Sequence, residues 1–164
     1  MPEPKNFYVS LVIPIFNEYE GIPYLVENLN SFFGENPHLR PEVIFVNDGS
    51  KDRSVERLLE MNHATYKAKV ISLSRNFGSH AALRAGISVA SGEYVCFNYA
   101  DLQDPLELII RLEEKAREGN EIIWAHREST KVSLGEKTFS SLYAFLMKKY
   151  AFSNFPEKGF DIVM

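Results

Sequence analysis

Along the 164 residues, short apolar runs alternate with longer stretches in which apolar residues recur every three or four positions. The runs at 8–13, 43–47, 70–74, 94–98 and 121–125 are rich in β-branched and aromatic residues and read as strands. Most are apolar nearly throughout, the pattern of strands buried on both faces. Helical periodicity falls at about 19–34, 52–63, 79–90 and 105–119, with a fifth stretch at about 135–151. This alternation predicts an α/β fold, a three-layer sandwich whose mostly parallel sheet carries helices on both faces through right-handed crossovers. Ligands of such sheets bind beyond the carboxyl ends of the strands, near the point where strand order reverses.

The segments that follow the strands are therefore where chemistry is sought. The first is Pro14-Ile15-Phe16-Asn17-Glu18 and the second Asn47-Asp48-Gly49-Ser50-Lys51-Asp52. The third is Arg75-Asn76-Phe77-Gly78-Ser79-His80, the fourth runs from Asn98 to Asp104, and the fifth is His126-Arg127. Each admits two accounts. Asp48-Gly49-Ser50 is turn chemistry, with Ser50 or Asp52 as a helix N-cap, or else Asp48 accepts hydrogen bonds from a base or a ribose. Phe16 is a core residue or an apolar face for that base. Glu18 is a first-turn carboxylate favoured by the helix dipole or a second acceptor for the ribose. Arg75 and Asn76 belong to a surface loop or hold phosphate at a helix start. Replacing Asp48 by Ala is expected to weaken nucleotide binding with little loss of stability.

In the fourth segment, Asp104-Pro105 reads as an N-cap followed by proline at the first helical position. That leaves Asp101 and Gln103 unexplained. Two oxygen ligands two residues apart in extended chain project to one side, where diphosphate oxygens could complete the shell of Mg²⁺ or Mn²⁺. Zinc is not expected, because no Cys/His cluster has the needed spacing.

Composition narrows the field. At 45% hydrophobic and 24% charged the chain is an ordinary globular domain, long enough for one sizeable core. The formal net charge of −4 argues against nucleic acid as a partner. A single cysteine, Cys96, excludes an internal disulfide, points to a reducing compartment and reads as a small buried hydrophobe. The polar start, Met1 to Asn6, does not predict a signal peptide, and no run approaches the ~18–20 apolar residues that span a bilayer.

With the loops in order, the chain resembles the inverting family-two glycosyltransferases of the GT-A fold, a Rossmann-like nucleotide-binding architecture. The branch it is most similar to is the polyprenyl-phosphate (dolichyl and bactoprenol) sugar transferases. The likeness runs through "VSLVIPIFNE", "EVIFVNDGSKDRS", "LSRNFGSHAALRAGISVASGEYV", "ADLQDPLELI" and "KGFD", and so covers nearly the whole chain. It implies that Pro14, Phe16, Glu18, Asp48, Gly49, Ser50, Arg75 and Asn76 bind a nucleotide-sugar donor. The family's Asp-x-Asp-x-Gln metal motif falls on Tyr99, Asp101 and Gln103, so the first carboxylate is missing. A phenol, protonated up to pH ~10, is a poor ligand for a hard cation. The resemblance thus implies a variant site in which Mg²⁺ or Mn²⁺ leans on Asp101, Gln103 and the substrate. Asn47, where relatives often carry aspartate, is a milder departure.

The implied reaction is inverting transfer of a sugar, with Asp101 and Asp104 as the catalytic carboxylates. A polyprenyl-phosphate acceptor is largely ionised near neutral pH and needs little general-base help. A sugar-hydroxyl acceptor, the alternative, needs a base, for which Asp104 is the candidate. The other alternative is a nucleotide-binding module that has lost catalysis, motivated by Tyr99.

Two regions are expected: a nucleotide-sugar-binding core at 1–126 and an acceptor-side arm at 127–164. The arm carries Arg127, Lys131, Lys137, Lys148, Lys149 and Lys158 against fewer acids, on an otherwise acidic chain. Phe139, Leu142, Tyr143, Leu146 and Tyr150 form an apolar stripe beside Lys137, Lys148 and Lys149. Such a helix lies in a lipid interface or packs on protein. The resemblance favours the first, at the cytoplasmic face of the membrane, with Arg127 and Lys137 on the acceptor phosphate. A homodimer through the same stripe is the competing outcome. Asp161-Ile162-Val163-Met164 reads as the start of another strand, and the chain is expected to continue beyond it.

Overall fold

The structure is a computed structural model that describes residues 6–125 and 162–163. Its centre is built by two nine-residue strands, β1 (Phe7–Ile15) and β2 (Leu39–Asn47), paired in parallel with Leu11 opposite Val43. β3 (Lys67–Ser72) adds in parallel to the outer side of β2, and β4 (Tyr94–Phe97) to the other side of β1, giving the order β3-β2-β1-β4.

Side-chain alternation assigns the two faces. Val9, Leu11, Ile13 and Ile15 of β1 join Val43 and Phe45 of β2 in one core. That core is covered by α1 (Ile22–Glu35), by Leu58 of the short α2 (Ser54–Glu60), and by α4 (Leu108–Arg117). Helix α1 presents Ile22, Leu25, Val26, Leu29, Phe32 and Phe33 inward, a stripe at helical spacing. On the opposite face Val12, Ile44 and Val46 pack on Ala82 of α3 (Ser79–Ser88). Helix α3 sits so close that a Cβ on Gly86 would collide with Cγ1 of Val12. The result is the expected three-layer α/β sandwich.

The sequence reading needs correction at several points. Burial on both faces holds for β1 and β2, whereas β3 is at most half-buried, as an outer strand should be. The fifth strand is reduced to β5 (Trp124–Ala125), which pairs antiparallel with β6 (Ile162–Val163). That bears out the strand start read near residue 162. Helix α1 begins three residues late because the Glu18 carbonyl accepts the N–H groups of Gly21 and Ile22 in a turn. Helix α4 is likewise preceded by turns in which the carbonyls of Pro105, Leu106 and Glu107 accept from Leu108, Ile109 and Ile110. Asp104 is therefore no N-cap of α4. Cys96 faces the core fully buried, and burial pushes its thiol up to about 12. Among the described residues no helix is long and apolar enough to cross a membrane. The fifth helix, at 135–151, with Arg127 and Lys137 beside it, lies outside the described residues.

Candidate functional site

From β1 the chain steps outward through β2 to β3, then crosses back to add β4 on the far side of β1. The order reverses between β1 and β4, and a cavity of about 280 Å³ opens at the carboxyl ends of the strands there. Pro14, Phe16, Glu18, Asp48, Asn76 and Asp101 line it, together with Gly78, Ser79, Tyr99 and Ala100. Gly49, Ser50, Arg75, Gln103 and Asp104 stand outside its wall.

Several of the residues outside the wall hold the loops in place. Asn17 adopts a left-handed φ of 56°, which asparagine tolerates better than most residues. Its N–H donates to Ser50 Oγ at 3.0 Å, and its Oδ1 accepts the Lys51 N–H at 2.8 Å. The next two N–H groups, of Glu18 and Tyr19, donate to Ser54 Oγ and Asp52 Oδ2 at 2.9 and 3.1 Å. Burial pulls the Asp52 carboxyl up, but hydrogen bonds from Ser54 and Tyr19 outweigh it and hold Asp52 below the ordinary carboxylate range. Asn47 uses both ends of its amide, accepting the Ser50 N–H at 2.9 Å and donating to Ser72 Oγ at 3.3 Å. An aspartate there would have no N–H for Ser72.

Asp48 is a clasp as well as a wall. Only 3% exposed, it accepts the Phe77 N–H on Oδ1 and the Gly78 N–H on Oδ2, both at 2.8 Å. Two donors at the start of α3 that suit a phosphate are thus taken by the chain's own carboxylate. Gly49, at φ 72°, lies so tightly on the third loop that a Cβ would stand 2.5 Å from the Asn76 nitrogen. Little loss of stability from removing the Asp48 carboxylate is therefore no longer expected: two part-buried N–H groups would lose their acceptor.

The fourth loop is a closed turn. Buried Asn98 accepts the Tyr99 N–H at 2.7 Å and donates to the Asp104 carbonyl at 3.2 Å. The Tyr99 carbonyl accepts the Leu102 N–H at 3.1 Å, which places Leu102 at φ 50°. A leucine rarely adopts that conformation, and here its side chain packs against the main core. The extended-chain argument for Asp101 and Gln103 fails as a result: Asp101 faces the cavity while its Oδ1 accepts the Gln103 N–H at 3.3 Å. Asp104 is buried behind the turn.

The wall facing solvent combines aromatic surface with negative charge. Phe16 and Tyr99 are 43% and 42% exposed, so Phe16 is no core residue. Partial burial raises the Glu18 carboxyl above its ordinary range, and the charges of Asp101 and then Asp52 raise it further. Arg75 lies over the ring of Phe77, its guanidinium carbon 4.8 Å from the centroid. Sequence reading missed the structural roles of Asn17, Ser54 and Asn98. An asparagine closing a strand or opening a loop was the available signal.

The sequence matches the family described as Glycosyl transferase family 2 over residues 10–163. The chain belongs to that family. This family-two chain is 40% identical over 133 residues to an uncharacterized glycosyltransferase of Synechocystis sp., covering 81% of itself and 42% of the relative. It is 38% identical over 137 residues to the bactoprenol glucosyl transferase of Shigella phage SfV, covering 82% and 44%. It therefore spans less than half the length of these curated relatives. Glucosyl-3-phosphoglycerate synthase from Mycobacterium tuberculosis was solved with Mn²⁺, UDP and phosphoglyceric acid. That structure superposes with a TM-score of 0.62 at 18% identity, covering 96% of this chain and 55% of the synthase, and shares the fold.

Proposed function

We propose that this chain is the donor-binding part of an inverting glycosyltransferase that moves a sugar from a nucleotide-sugar donor to a polyprenyl phosphate. The observation that carries the reading is the cavity at the reversal between β1 and β4. Its wall joins the apolar faces of Pro14, Phe16 and Tyr99 to the acceptors Glu18, Asp48 and Asp101. A nucleoside is the ligand class that matches, with a flat apolar ring and hydrogen-bond donors along its edge. The membership of family two and the bactoprenol glucosyl transferase relative support the reaction and the lipid acceptor.

Each residue has a role in this reading. Phe16 supplies a face for the base. Glu18 and Asp48 accept hydrogen bonds from ribose or base, Asp48 with lone pairs left after its two backbone bonds. Asn76 donates hydrogen bonds to the diphosphate, and Arg75, once its side chain turns from Phe77, offsets its charge. Among the described residues no cluster of three His, Cys, Asp or Glu side chains makes a ready metal cage. The donors present still fit a hard divalent ion shared with substrate, because Mg²⁺ is commonly held by one or two carboxylates plus phosphate oxygens. Asp101 would hold Mg²⁺ or Mn²⁺ with the diphosphate, Gln103 lying beside it. When bound, such an ion stabilises the charge that grows on the departing nucleoside diphosphate. Asp104, buried behind the turn, is poorly placed to deprotonate a sugar hydroxyl, which favours the ionised lipid phosphate as acceptor. In this reading the reaction takes place at the cytoplasmic face of the membrane, with Arg127, Lys137 and the 135–151 stripe as the acceptor side, or a homodimer forms through that stripe.

Thermal unfolding with a panel of nucleotide sugars, followed by transfer of labelled sugar to polyprenyl phosphate in detergent, tests the proposal. A cognate donor at 100 times its dissociation constant should stabilise the fold by about 2.7 kcal/mol. A panel that leaves unfolding unchanged overturns the reading.

A further inference from the structure

Tyr99 stands where a carboxylate would serve a divalent ion, yet it is set into the cavity wall with care. Its N–H is held by Asn98 Oδ1 at 2.7 Å and its carbonyl by the Leu102 N–H at 3.1 Å, and Asn98 itself is buried. The backbone is fixed on both sides, while Tyr99 is left 42% exposed and lines the cavity. Phe16 has a matching arrangement. The residue after it, Asn17, is tied to Ser50 and Lys51, and its ring is left exposed on the same cavity. The two rings rise from the ends of neighbouring paired strands, β1 and β4. Rigidly mounted aromatic surface lowers the ordering cost of binding a flat apolar group.

Building on the donor-binding reading above, we infer that Tyr99 is a specificity-determining residue: with Phe16 it grips the nucleoside of the donor by stacking. The affinity that a second metal carboxylate would supply through the ion is supplied here by an aromatic face. The nucleoside then binds well without a divalent ion, and the ion adds little until the diphosphate is present. Asp101 remains the one carboxylate of the turn to meet it.

Calorimetric titration of the full 164-residue chain with uridine, guanosine, UDP and GDP, each with Mn²⁺ and with EDTA, tests the inference. The set comprises wild type, Tyr99→Phe, Tyr99→Ala and Tyr99→Asp, with circular dichroism to confirm folding. Wild type and Tyr99→Phe should bind the preferred nucleoside alike, with and without metal. Tyr99→Ala should lose about tenfold in affinity for nucleoside and nucleotide together, the scale of one base–aromatic stack. Tyr99→Asp should lose the nucleoside to the same degree and bind the diphosphate only with Mn²⁺. Unchanged binding by Tyr99→Ala, or strict Mn²⁺ dependence in wild type, overturns the inference while the donor reading stands. Binding of none of the four probes by any variant overturns both.

Discussion

Two glutamates at opposite ends of the central sheet are treated in opposite ways. At the amino end, Glu42 of β2 is buried and wholly occupied. Ser10 Oγ donates to it at 2.6 Å, the Ser91 N–H and hydroxyl donate at 2.5 and 2.8 Å, and Lys69 Nζ lies at 2.6 Å. Burial alone would raise Glu42, but these hydrogen bonds, led by Lys69, bring it down to about 2. Gly92 donates its N–H to Ser10 Oγ and closes the knot so tightly that a Cβ would stand 2.6 Å from the Ser10 nitrogen. At the carboxyl end, Glu18 is raised instead, by partial burial first and then by the charges of Asp101 and Asp52. A larger hollow, about 630 Å³, lies at the amino end beside Glu42, whereas the candidate site measures about 280 Å³. Volume does not separate the two ends, because a further hollow of about 590 Å³ lies beside Glu18 and Asp52 at the carboxyl end. Charge left for a ligand to compensate is what supports the proposed site.

This contrast can be broken by experiment, beginning with its strongest element. Glu42→Ala should cost about 3 kcal/mol in urea unfolding, because it removes one partner of a buried pair and orphans several donors. Nucleotide affinity per folded molecule should be unchanged, and a coupled loss of binding would show that the two ends are not independent. The same knot sets an acid limit. The folded Glu42 ionises near 2 and an unfolded glutamate near 4.5, so its contribution is complete above the higher value and lost as pH falls toward the lower. Stability measured from pH 5 to 2 should drop by about 3 kcal/mol from this group, and Glu42→Gln should flatten that slope.

Asp48→Ala tests the site end. Loss of the clasp on Phe77 and Gly78 should cost about 2 kcal/mol and weaken nucleotide binding together. Full stability with lost binding would return Asp48 to the role of a ligand contact alone. The smallest effect is expected at Glu18. Its carboxyl is raised, so its charge opposes folding near neutral pH, and Glu18→Gln should stabilise by up to about 0.5 kcal/mol while weakening nucleotide binding. A destabilised Glu18→Gln would mean that the carboxylate has a structural partner and that the contrast between the two ends is false.

The layers of the fold were legible because β1 and β2 are nearly continuous apolar runs, buried on both faces, while the period-3.6 stripe of α1 survives intact. Edges were harder. Lys67 and Lys69 begin β3 with polar side chains that pairing with β2 tolerates, so the strand starts earlier than its apolar run. In the site, Phe16, Glu18, Asp48 and Asp101 could be placed because the carboxyl ends of parallel strands converge. The division of labour could not. Whether Asp48 holds a ligand or a loop, and whether Gln103 stands beside Asp101, depends on backbone turns at Asn17 and Leu102 that favour no particular pattern of polarity.

Cys96 gives the molecule a clock. It is the one thiol of the chain, fully buried in β4 opposite Leu11, with its ionisation pushed up to about 12. Thiolate, the reactive form, is therefore scarce while the sheet is closed and ordinary once it opens. A thiol-specific reagent will record not the chemistry of a cysteine but how often β4 parts from β1, the two strands that frame the cavity. A ligand seated between them should slow the labelling in proportion to its occupancy, so a modification rate at a site with no catalytic duty becomes a gauge of what the neighbouring cavity holds.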